Sequence, residues 1–160
     1  MDEDGEMDIT SEAFEDGSEI PSRYTYDGSE VSPPLSIMGV PDSAESLVLI
    51  ADDPDASKSP FTHWLLWNLS PGTRTIPEGI PQSRSVDELD GAKQGTNSFG
   101  ELGYRGPRPP EDDGPHTYRF TLYAVESPLN VQAGARRGRV DDGLSGNLVA
   151  TARLTGEYER

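Results

Sequence analysis

Three stretches of the chain alternate or cluster apolar residues strongly enough to predict strands. Residues 46–51 are a short segment, continuously apolar from Leu47 to Ala51 and bounded by polar residues, which reads as a buried strand. This strand runs directly into Asp52-Asp53-Pro54-Asp55-Ala56. A second strand spans residues 63–69. A period of two puts His63, Leu65, Trp67 and Leu69 on one face and Trp64, Leu66 and Asn68 on the other. The third covers 117–125, where His116, Tyr118, Phe120, Leu122 and Ala124 share a face, so His116 and Tyr118 point the same way. Residues 31–37 read as an edge segment, because Pro33 and Pro34 have no N–H to donate to a ladder. From 71 to 116 Pro, Gly, Ser and Asp recur without a sustained period, which predicts mostly loop; loops of that length often carry function. The one helical region lies at 129–153. Gly138 and Gly143 weaken it, which predicts one or two short helices before a last strand near 153–158. No internal repeat is visible.

Composition narrows the class. The 160 residues suit one domain with a real core. An apolar fraction of 32% with 17 Gly and 14 Pro favours a mainly β fold of short strands and turns over a helical bundle. Residues 1–8 read as a disordered acidic tail and 9–160 as a single domain. Met1-Asp2-Glu3-Asp4-Gly5-Glu6 is the reverse of a secretory signal, and no apolar run reaches the roughly 20 residues of a bilayer span. A cytoplasmic location is therefore expected. The chain has no cysteine, which removes disulfides, thiolate nucleophiles and thiolate metal sites.

Charge changes the picture further. Net charge is −16, with 29 acidic against 13 basic residues, of which only Lys58 and Lys93 are lysines. Such a field repels nucleic acid and anionic lipid, so neither a nucleic-acid partner nor membrane insertion is expected. It suits a salty cytosol, where charges are screened within about 3 Å at 1 M salt. A halophilic microbial source is the expectation.

Three segments hold candidate chemistry. Asp53-Pro54-Asp55 closes a buried strand, where a plain Asp-Pro turn competes with two carboxylates aimed at one site. His63 opens an apolar strand, a position more often structural than functional. Gly103-Tyr104-Arg105-Gly106-Pro107-Arg108-Pro109-Pro110 and then Gly114-Pro115-His116-Thr117-Tyr118 form a Gly/Pro-rich rim whose backbone N–H groups can hold an anion. Both histidines of the chain flank such segments, and strand ends meeting one loop-rich edge make a concave, partly polar site.

These residues resemble the phosphatidylethanolamine-binding protein family, also called the Raf kinase inhibitor protein family, and in particular its bacterial and archaeal branch. Ile20-Pro21, Val31-Ser32-Pro33-Pro34-Leu35-Ser36, Asp53-Pro54-Asp55-Ala56 and His63-Trp64-Leu65-Leu66-Trp67-Asn68 carry the likeness. So do Gly100-Glu101-Leu102-Gly103-Tyr104-Arg105-Gly106-Pro107, Pro109-Pro110 and Gly114-Pro115-His116-Thr117-Tyr118-Arg119-Phe120. The resemblance implies a two-sheet antiparallel Greek-key sandwich with C-terminal helices and a pocket for phosphate, phosphorylethanolamine or similar anions. It implies pocket residues Asp53, Asp55, His63, Gly106, Pro109, His116 and Tyr118, no cofactor, and a homodimer. Two positions depart from the family pattern: Ser57 stands where Pro is usual, and Phe61 where Trp is usual.

In this reading the imidazoles, the Tyr118 phenol and backbone N–H groups donate to an anion. Asp53 and Asp55 hold the imidazoles or receive an ammonium group. Arg105 and Arg108 either strengthen anion binding or pair with surface acids. Competing readings are a hydrolase or transferase using Ser57, Ser59 or Ser98, for which no Gly-x-Ser-x-Gly elbow exists, a metal centre of two His and one Asp, and a protein-interaction module.

Overall fold

The structure, a computed structural model, describes residues 6–160. Along the chain it runs β1 (Asp8–Thr10), β2 (Ser18–Glu19), β3 (Leu35–Met38), β4 (Ser46–Asp53), β5 (Phe61–Leu69), β6 (Thr75–Ile76), β7 (Ser85–Val86), β8 (Ala92–Gln94), β9 (His116–Val125), α1 (Arg137–Leu144) and β10 (Leu148–Tyr158). Three strands form a small sheet in the order β1-β3-β6, and seven form a large one in the order β2-β10-β9-β4-β5-β8-β7. The result is mainly β, two sheets and a single C-terminal α-helix, as expected. Among the described residues one pair is parallel, β2 with β10, which departs from the all-antiparallel expectation.

The apolar run at 46–51 is central because every one of its side chains has something to pack on. β4 is buried throughout, between β5 and β9. On one face Leu47, Leu49 and Ala51 join Trp64, Leu66, Phe120 and Leu122 against Ile9, Leu35, Ile37 and Ile76 of the small sheet. On the other, Val48, Ile50, Leu65 and Trp67 are covered by Leu129, Val140 and Leu144. An apolar side chain at every position from Leu47 to Ala51 is what a sheet covered on both faces requires.

Four expectations change. The tail expected over residues 1–8 lies partly outside the described residues; from residue 6 on, order begins early, with Met7 buried and Asp8 opening β1. Met7 and Ile9 are two apart and both reach the core, a short alternation obscured by acidic neighbours. The 31–37 segment is no edge: Pro33 and Pro34 precede β3, and β3 is the middle strand of its sheet. The last strand starts at Leu148, earlier than expected, because it pairs along nearly all of β9.

The fourth change matters most for the site. β5 does not keep one alternation. Pairing with β4 slips between Trp64 and Thr62, and again between Leu69 and Trp67. The first bulge inserts His63, so His63 projects with Trp64 and Leu66 toward the inter-sheet core rather than with Leu65 and Trp67. The second inserts Asn68, whose backbone is left-handed (φ 59°), and returns Leu69 to the inter-sheet face. An extra residue in a strand reverses the facing of everything beyond it. Among the described residues, no helix is long and apolar enough to cross a membrane.

Candidate functional site

The first bulge of β5, the end of β4 and the start of β9 bring four side chains together at one end of the central strands of the large sheet. β9 keeps its alternation, so His116 and Tyr118 do share a face, with their rings 6.3 Å apart and nearly parallel. The His63 ring meets the Tyr118 ring edge-on at 5.4 Å. Asp53 lies beneath them at the end of β4. Its Oδ2 is 2.7 Å from Nδ1 of His116, and its Oδ1 accepts the N–H of Asp55 at 2.8 Å.

These groups line a cavity of about 320 Å³, walled by Phe61, Phe99, Pro109 and Pro110 and rimmed by Arg108, Asp113, Ala56 and Ser57. A larger hollow of about 580 Å³ over residues 130–135 collects only one charged side chain, Arg139, and no histidine. The smaller cavity is therefore the chemical candidate.

The two imidazoles differ sharply. His63 Nδ1 is 2.8 Å from the backbone oxygen of Arg105. A carbonyl only accepts, so Nδ1 carries the hydrogen, and in the neutral ring Nε2 offers a lone pair. Burial pushes the His63 pKa below its ordinary value, outweighing the Arg105 carbonyl and the Asp53 charge. His116 has a carboxylate on each nitrogen: Asp53 on Nδ1 and Asp113 on Nε2 at 2.9 Å. Burial works against its charged form, but the two carboxylates together outweigh burial and raise its pKa. Only the imidazolium satisfies both contacts at once. So His116 is the pocket's cation and His63 its neutral acceptor, not a second donor.

Tyr118 is 3% exposed, and its hydroxyl has no hydrogen-bond partner among the described residues. Burial, then the Asp53 charge and the approach of its carboxylate to the hydroxyl, push the pKa upward, so the phenol stays protonated and has a hydrogen to donate.

Of the seven residues implied by the resemblance, Asp53, His63, Pro109, His116 and Tyr118 line the cavity; Asp55 and Gly106 do not. Asp55 is exposed and braces the rim, its Oδ2 accepting the N–H of Thr117 at 2.8 Å. Gly106 is a packing residue: a Cβ there would lie 2.3 Å from the Tyr24 carbonyl oxygen. Its N–H donates to Glu30. Arg105 pairs with Glu30 and Glu101, each at 2.7 Å, whereas Arg108 stacks on the Tyr26 ring at 4.0 Å beside the cavity mouth.

Phe99 and Asp113 were not expected from the sequence. Phe99 sits in a loop without periodicity. Asp113 had a signal, since Gly114-Pro115 folds the chain back and brings it within reach of His116. Of the three serines, Ser57 lines the cavity, while Ser59 donates to the Pro54 carbonyl and Ser98 accepts the Thr62 N–H. Among the described residues no three His, Asp or Glu side chains are grouped to hold a metal ion.

A profile described as phosphatidylethanolamine-binding protein matches residues 10–159. The chain belongs to the phosphatidylethanolamine-binding protein family. Within it, a UPF0098 protein of Pyrococcus horikoshii is 44% identical over 150 residues, covering 94% of this chain and 75% of the relative. A UPF0098 protein of Methanothermobacter thermautotrophicus is 44% identical over 154 residues, covering 96% and 99%. The crystal structure of a phosphatidylethanolamine-binding protein homologue from Chlamydia trachomatis superposes with TM-score 0.86 at 38% identity, covering 98% of this chain and 99% of that one. That of Escherichia coli YbcL, described as a member of the mammalian phosphatidylethanolamine-binding protein family, gives 0.90 at 30% identity, covering 97% and 99%. The matched residues 10–159 include the ends of β4, β5 and β9 that carry Asp53, His63, His116 and Tyr118.

Proposed function

We propose that this protein is a binding module for a small phosphate-bearing ligand, anionic or zwitterionic, held in the cavity between His63, His116 and Tyr118. The observation that carries this reading is the Tyr118 hydroxyl, buried at the cavity beside the Asp53 carboxylate yet making no well-formed hydrogen bond to the protein. A buried hydroxyl without a partner costs about 1–3 kcal/mol, and a ligand oxygen accepting from it recovers that loss. The imidazolium of His116 supplies charge beside it, and Arg108 adds a guanidinium at the mouth. His63 Nε2 accepts, so the preferred ligand also brings a hydrogen to donate: a protonated phosphate oxygen or an ammonium group. Phe61 and Phe99 give the apolar wall. A homodimer is proposed from the family resemblance alone.

Tyr118→Phe tests this directly. Calorimetric titration with phosphorylethanolamine and with inorganic phosphate is expected to show affinity about tenfold lower in the variant, while its melting temperature stays level or rises, since an unpartnered polar atom has been removed. Equal affinity in both proteins argues against the reading. Incubation with phosphoesters and aryl esters separates binding from hydrolysis: no turnover is expected, and turnover lost in His63→Ala would replace binding with catalysis.

A further inference from the structure

The His116 imidazole is already engaged by part of the chain. His116 and Asp113 both line the cavity, and His116 Nε2 meets the Asp113 carboxylate at 2.9 Å. The other His116 nitrogen is held from below by Asp53, which is nearly buried and further tied to the Asp55 N–H. Asp113 differs from Asp53 in every respect that governs exchange. Its side chain is 49% exposed, so one side of it is already hydrated and leaving costs little desolvation. Among the described residues, His116 is the one side chain to which it is hydrogen-bonded.

The rim is built so that this carboxylate can leave alone. Pro109 and Pro110 stiffen the approach, and the Asp113 N–H closes a turn onto the Pro110 carbonyl at 3.1 Å. Gly114 follows with a left-handed backbone (φ 76°) and open space around it, so rotation there meets no packed neighbour. Beyond it, Thr117 is pinned by Asp55, so His116 stays in place while Asp113 swings.

Resting on the binding reading above, we propose that Asp113 is the specificity-determining residue of the pocket: an internal carboxylate that competes with the ligand's anionic group for His116 Nε2–H. A ligand that is only an anion must expel this carboxylate and then remain beside its charge. A ligand carrying an ammonium group as well gives the anion to His116 and Tyr118 and the ammonium to Asp113, so expulsion is offset by a new ion pair. Asp113 therefore discriminates against bare phosphate and in favour of zwitterionic phosphoesters.

The test compares inorganic phosphate and phosphorylethanolamine by calorimetry on the full chain, its Asp113→Ala variant and Asp112→Ala as a control of equal charge. Asp112 is exposed and one residue away. For Asp113→Ala, phosphate affinity is expected to rise about tenfold, phosphorylethanolamine affinity to change by less than about threefold, and the preference for the zwitterion to collapse. Asp112→Ala is expected to shift both ligands together and by less than about twofold, as a solvent-screened exposed charge does. Equal gains for both ligands in Asp113→Ala, or the same changes in both variants, overturn the proposal and leave the pocket standing. Binding of neither ligand to any of the three proteins overturns the pocket reading and this one together.

Discussion

His63 and His116 sit within one pocket yet their pKa values are shifted in opposite directions, because desolvation dominates at His63 while two carboxylates clamp His116. With no other histidine in the chain, nuclear magnetic resonance should show two imidazole titrations, one below the ordinary 6.5 and one above it. The stability consequences have opposite signs. His116, raised in the folded state, contributes stability that is full below pH 6.5 and is lost as pH rises through its folded pKa. His63, lowered in the folded state, costs stability as pH falls from 6.5 through its folded pKa. Melting temperature measured across this range should therefore carry two limbs. His116→Gln is expected to remove the alkaline limb and His63→Gln the acid one; identical profiles in wild type and both variants would contradict the assignment. Ligand binding should follow His116, weakening as pH rises through its raised pKa.

At the scale of the element, β5 is where local pattern and final structure part. Its second bulge rests on Asn68, a residue type that tolerates a left-handed backbone better than most. The side chain also pins the segment that covers the second core: its amide donates to the Leu129 carbonyl at 3.1 Å, and its carbonyl accepts the Leu129 N–H at 2.8 Å. Asn68→Ala is expected to destabilise by about 2–3 kcal/mol, from the lost hydrogen bonds plus the left-handed penalty. Asn68→Gly keeps the backbone relaxed and should cost less; denaturant unfolding reads the difference, and a costlier glycine would contradict this role. Equal spacing made Leu65, Trp67 and Leu69 look like one face in the sequence. Pairing with β4 broke that spacing twice, and nothing local in residues 61–69 announces a bulge at His63.

The whole molecule is governed by its charge. At −16 the surface repels itself, and the cost falls as salt screens it. Melting temperature is expected to rise steadily from roughly 0.1 M to roughly 3 M KCl; equal stability at both ends would count against an adaptation to salt. Within that field the buried charges are compensated locally. Asp52 binds Arg119 through both oxygens at 2.8 and 2.9 Å and receives Arg137 at 3.2 Å, on the face of the large sheet away from the pocket. The pocket is compensated too, His116 lying between Asp53 and Asp113, but there the charged groups stand within reach of a ligand.

The amino-acid sequence alone determined the β class, the central place of residues 46–51, the shared face of His116 and Tyr118, and the edge at which the chemistry gathers. Those follow from periodicity and from turn residues, which act over a few positions. The tertiary structure decided which side His63 faces, because a bulge depends on the partner strand's register. It also showed that Gly106 yields to the Tyr24 backbone, that Asp55 braces the rim, and that Asp113 reaches His116. Each of these depends on contacts between segments, which spacing along the chain does not encode.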